Sequence, residues 1–131
     1  MNWLDALAPE LRARVRRTPT PAWVEPMNAT LTDMRFDDAI AQTGHWTRRD
    51  VVFDIPYRCL TAPTYTNLLV AGRCISTSRY VHQATKEIPA AMATGEAAGA
   101  AAARASSDVH DVDVRSLRAD LASSGAIVGG V

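Results

Sequence analysis

The residues with the clearest chemical potential are Gly72-Arg73-Cys74-Ile75-Ser76, which follow the apolar run Leu68-Leu-Val-Ala71 and precede an alanine-rich segment opening at Pro89. A helix that starts there exposes unpaired N–H groups and the positive end of its dipole, which suits a phosphate or a partly anionic carbonyl oxygen. Gly72 at the end of a strand lets a ligand approach the main chain. Arg58 and Arg73 carry forks that could clamp a phosphate or a carboxylate, although arginines at strand ends are also common on surfaces. Taken on composition alone, this strand, glycine and helix arrangement also fits generic α/β packing.

Other reactive residue types lack a pattern. His45, His82 and His110 have no partner spacing that suits a metal. Asp108, His110, Asp111 and Asp113 form an acidic loop leading into a helix whose start Asp113 caps, where negative charge complements the dipole. Cys59 and Cys74 are the only cysteines and have no CxxC spacing, so they read as free thiols rather than a zinc, iron–sulfur, disulfide or redox framework. The glycines stand at 44, 72, 95, 99, 125, 129 and 130, and no three of them make GxGxxG.

The elements that must position these residues follow from periodicity. Leu4, Leu7, Leu11 and Val15 recur at helical intervals, predicting an N-terminal amphipathic helix over 1–17 with Arg12, Arg14, Arg16 and Arg17 mostly off the stripe. Residues 18–30, with Pro19, Pro21 and Pro26, read as a linker. Thr32 to Gln42 suits a short turn or helix ended by Gly44. Val51, Val52, Phe53 and Ile55 predict an edge strand closed by Pro56, with Tyr57 to Leu60 continuing it after the break. Pro63 and Asn67 bracket a turn, and Leu68 to Ala71 reads as a strand buried on both faces. A polar loop runs from Thr77 to Ile88.

Ten alanines in the seventeen residues from Pro89 to Ala105 make that helix the strongest secondary-structure signal. Gly95 and Gly99 share a face with Ala91, Ala98 and Ala102, which predicts close approach to a neighbouring surface. A last helix buries Val114, Leu117 and Leu121 and stops at Gly125. The fold class expected is α/β, as an α+β fragment.

Three of these stretches add up to a resemblance. Ile55-Pro-Tyr-Arg-Cys-Leu60, Asn67-Leu-Leu-Val-Ala-Gly-Arg-Cys-Ile-Ser76 and Pro89-Ala-Ala-Met-Ala-Thr-Gly-Glu-Ala-Ala-Gly-Ala-Ala102, in that order, resemble the carboxy-terminal segment of the FAD-dependent oxidoreductase family. Flanking pieces from Arg35 to Ala41 and from Asp111 to Arg118 extend the likeness, so that 31–128 reads as one segment. The resemblance implies a Rossmann-like FAD-binding sheet that this strand, loop and helix complete, its adenosine diphosphate part held by a GxGxxG unit. It implies FAD as cofactor and a GxGxxG-bearing flavoprotein half or subunit as partner. The main chain at Gly72, Arg73 and Cys74 would lie near the ribityl–pyrophosphate region, with Pro89, Ala90 and Ala91 facing the flavin pyrimidine. Arg79, Lys86 and Glu96 stand where the family often has histidine, arginine and glutamine, so no catalytic residue carries over.

Size and charge bound the rest. A chain of 131 residues can hold one modest core, and fourteen basic residues balance fourteen acidic ones, which excludes a global field for nucleic acid or membrane. No apolar run approaches the roughly 20 residues of a membrane span. With Asp5 and Glu10 and no basic start in the first eleven residues, a cytoplasmic location is expected. The leading reading is a cofactor-completing flavoenzyme segment, inactive alone. The alternative is a non-enzymatic remnant or interaction module, in which the small-residue helix face pairs with another copy or another protein.

Overall fold

In the computed structural model of the chain, the described residues are 35–44, 51–77 and 79–129, with the side chains of residues 79 and 80 excepted. The expected N-terminal helix and linker lie outside them. Among the described residues the fold is α+β: two antiparallel two-stranded sheets, three α-helices and three short 3-10 turns. Strands β1 (Ala39–Gly44) and β2 (Val52–Pro56) form the first hairpin, and β3 (Thr61–Ala62) and β4 (Tyr65–Leu69) the second. Helices α1 (Arg79–Thr85), α2 (Ile88–Arg104) and α3 (Val114–Ser123) follow.

The first sheet organises the core. Phe53, Ile55, Ile40 and Ala41 are buried along its strands, and α2, α3 and α1 all pack on β1. Helix α2 turns Ala90, Thr94, Ala97 and Ala101 inward, spaced so that they share one helix face. Short side chains on that face, with Ala39 and Ala41 fully buried in β1, let backbones approach closely where larger residues would hold them apart. Leu117 and Leu121 of α3 close the core from another side.

Several expectations are corrected. Residues 39–44 are a strand, not part of a turn or helix: β2 supplies a hydrogen-bonded partner, and that tertiary pairing overrides the weak strand propensity of Ala-Ile-Ala. Tyr57–Cys59 forms a 3-10 turn instead of continuing the strand, with Leu60 N–H donating to Tyr57 O and Tyr57 N–H to Asp38 O. The turn between the second pair of strands is confined to Pro63 and Thr64, and Asn67 lies within β4. Leu68 is 39% exposed, so β4 is not buried on both faces. Among the described residues β4 pairs with β3 alone, and the 3-10 turn Val109–Asp111 packs against it. The expected polar loop contains α1. The edge strand ending at Pro56, the long alanine helix and the last helix all appear as read.

The ends of α3 follow local chemistry. Asp113 accepts from Arg115 N–H at the start, and Gly125, at φ +92°, ends the helix as its N–H donates to Ala122 O and that of Ala126 to Leu121 O.

One buried hydroxyl ties the 3-10 turn after β2 to the loop before α3: Tyr57 Oη donates to Val109 O at 2.6 Å. Burial first, and then the nearby Asp108 carboxylate, push this phenol up from 10.0 to about 12. The unfolded chain releases the proton near pH 10 and the folded chain does not, so this contribution to stability is full below about pH 10 and is lost as the pH rises through about 12. Tyr57→Phe is expected to flatten the stability profile across that window, and equal alkaline slopes for the two proteins in urea titrations would contradict it.

Candidate functional site

The residues singled out by sequence meet at one corner. Gly72 lies at φ +60°, a left-handed conformation that favours glycine, at the start of the 3-10 turn Gly72–Cys74. A Cβ built on Gly72 would sit 3.5 Å from the Cβ of Ala91, so the turn rests directly on the first turn of α2. Arg73 and Cys74 are exposed, as is Pro89; Ala91 is half-buried and Ala90 buried.

The start of α2 is open. Glu87 occupies the N-cap in extended geometry and its side chain makes no cap hydrogen bond, while proline stands in the first turn. Pro89 has no N–H and Ala91 N–H donates to Glu87 O, so what this start offers is the positive end of the helix dipole.

Two hydrogen bonds fix the turn. Gly72 N–H donates to Thr94 Oγ1 at 3.0 Å, and Arg73 Nε–H donates to Lys86 O at 3.2 Å, at the junction of α1 and α2. Thr94 was not singled out from sequence. Its signal was faint: a hydroxyl on the Ala90, Ala97 and Ala101 face of an otherwise alanine-rich helix.

Other candidates are local. Arg58 pairs with Asp38 and stacks 4.8 Å from the Phe36 ring centroid. It does not share a partner with Arg73. Both cysteines are free, Cys59 buried and Cys74 exposed, and burial pushes the Cys59 thiol up. The acidic stretch serves as local capping, as expected. Asp108 accepts from His110 N–H at 2.8 Å and pairs with its ring at 2.6 Å. The backbone bond first, and then the ring, hold its carboxyl below the usual range. Asp108, Asp111 and Asp113 also line an open polar cleft of about 210 Å³ with Arg104, at the opposite end of α2 from the Gly72 corner.

The face of α2 carrying Gly95 and Gly99 is a correction. A Cβ on either residue would meet nothing within 4 Å, so the small residues are not pressed against the sheet. The helix turns its alanine and threonine face to β1, and Ile88 and Met92, each 70% exposed, continue the open side.

Among the described residues no helix is long and apolar enough to cross a membrane. No curated protein and no solved structure matches the chain significantly. A family model described as FAD dependent oxidoreductase matches residues 27–121, which include both hairpins, the Gly72 turn, the whole of α2 and most of α3. With that match over well more than half its length, the chain belongs to the FAD dependent oxidoreductase family.

Proposed function

We propose that this chain completes an FAD site, contributing the Gly72–Cys74 turn and the start of α2, while a GxGxxG-bearing half or subunit holds the adenosine diphosphate portion. The observation that carries the reading is the meeting of the Gly72 turn with an uncapped helix start. Together they bring the Gly72 main chain against the small side chain of Ala91. That corner fits a flat, oxygen-bordered group: the side chains of Ala90 and Ala91 are small, the positive end of the helix dipole lies beside them, and Gly72 brings the turn close.

Bound FAD would supply two-electron transfer chemistry. The chain's own part is electrostatic and positional. The N-terminal dipole of α2 favours negative charge on the ring edge beside Pro89, Ala90 and Ala91. The turn at Gly72, Arg73 and Cys74 would line the ribityl–pyrophosphate side. The absence of GxGxxG from these 131 residues is the reason for assigning the adenosine end to a partner. The open strand β4 and the bare side of α2 are surfaces that a complementary sheet would cover, completing a Rossmann-like arrangement.

Affinity purification of the full chain from its own cells tests this. A GxGxxG-bearing protein and yellow flavin absorbance should co-purify with it, and the partner prepared without this chain should hold FAD more weakly. Equal FAD binding by the partner with and without the chain would end the proposal. So would a monomeric chain that takes up FAD unaided.

A further inference from the structure

We infer that Thr94 is the positioning residue of this corner, a buried hydroxyl clamp that makes the Gly72 turn and the open start of α2 move as one body. The inference rests on the FAD reading for its purpose and on geometry for its existence.

Thr94 is fully buried, one turn inside the helix. Its Oγ1 lies 2.8 Å from Ala90 O and 3.1 Å from Ala91 O, and it accepts from Gly72 N–H at 3.0 Å. A hydroxyl has one proton to donate. The nearer carbonyl, Ala90 O, takes it, and the oxygen is left free to accept from Gly72. Both halves of the hydroxyl are therefore used, one on each of the two segments that would face the cofactor.

The consequence for the turn is directional. With φ at +60°, Gly72 aims its N–H inward at the helix rather than outward at a ligand. The turn then presents its outer edge at Arg73 and Cys74. A second side-chain tie from the turn, Arg73 Nε to Lys86 O, is at the exposed surface, where competition with water weakens a hydrogen bond. Thr94 is thus the buried anchor of the pair. Losing it would leave the Gly72 N–H without its partner and free the turn to shift against Ala91 while α2 stays helical.

The substitutions that separate this role from general packing are Thr94→Val, which keeps the shape without the hydroxyl, and Thr94→Ser, which keeps the hydroxyl. Thr94→Ala serves if the valine variant does not fold, since alanine suits the helix. Two measurements are made on the full chain: amide exchange at Gly72, and the rate at which Cys74, the exposed thiol of the same turn, reacts with a disulfide reagent while buried Cys59 stays protected. A third is the dissociation constant for FAD in the assembly with the co-purifying partner.

Loss of one such hydrogen bond should speed Gly72 exchange and Cys74 labelling by roughly five- to tenfold and weaken FAD binding by a similar factor, with Ser restoring all three. Unchanged exchange and labelling in the Val and Ala variants would overturn the clamp. Faster exchange with FAD binding unaltered would overturn the positioning role while leaving the FAD reading intact. A wild-type assembly that binds no FAD would overturn the FAD reading itself, and the exchange data would then mark Thr94 as a structural tie alone.

Discussion

Replacing Asp54 with alanine is expected to destabilise the chain by about 3 kcal/mol, because a fully buried carboxylate there joins three segments. In the β1–β2 register Asp54 lies opposite Gln42, and it accepts from Gln42 Nε2 at 3.0 Å and from Phe36 N–H at 3.1 Å. The main chain at Gly129 lies against the same group: a Cβ there would collide with Asp54 Oδ1 and come within 2.7 Å of Gln42 Cγ, and φ is +68°. Arg118 holds that tail down, donating to Gly129 O at 3.1 Å and to Asp37 O at 2.6 Å.

A buried donor left without its acceptor costs roughly 1–3 kcal/mol, and alanine would remove two acceptors while leaving a gap beneath Gly129. Against a typical domain stability of about 5–15 kcal/mol, that is a large fraction. Asn should cost about half as much, since it keeps one acceptor oxygen but turns an NH2 toward another donor. The comparison is made from urea midpoints at constant slope. A change within about 0.5 kcal/mol for Asp54→Ala, the range of ordinary surface substitutions, would mean that the carboxylate does not hold the hairpin and tail together.

Asp54 also marks where sequence reading stops. Its partners at 36, 42 and 129 are far apart in the chain, and nothing in Val-Phe-Asp-Ile distinguishes a buried acceptor from a strand residue facing water. What was legible was local. The Asp113 cap, the Gly125 stop and the alanine run of α2 are each specified within a few residues, and the neighbourhood of Gly72 with Pro89 to Ala91 followed from the ordered family motifs. Strand identity was harder: β1 depends on β2 lying beside it, so Phe36 and Ile40 mimicked helical spacing. The burial of Leu68 depends on what packs over β4, and the 3-10 turn Val109–Asp111 that touches the strand leaves Leu68 exposed. Thr94 escaped notice because its decisive partner, the Gly72 amide, lies 22 residues away.

The glycines of α2 make the sharpest test of surface against core. Sequence reasoning assigns Gly95 and Gly99 to a face pressed on a neighbour, where a methyl group would clash. The structure leaves both exposed with nothing within 4 Å of an added Cβ. Glycine in a helix interior costs about 1 kcal/mol relative to alanine, so the double variant Gly95→Ala, Gly99→Ala should gain about 2 kcal/mol and raise the midpoint of thermal unfolding by about 10 °C. The two effects should nearly add, since neither methyl meets a partner through which they could couple. Ala97→Leu, on the opposite and fully buried face, should do the reverse, losing roughly 1–3 kcal/mol through overpacking. Opposite signs from two faces of one helix, measured on the isolated chain by calorimetry, would fix which side is core. If the glycine double variant instead lost stability, the face would already be packed against another surface in solution, and the close approach expected from sequence would be correct after all.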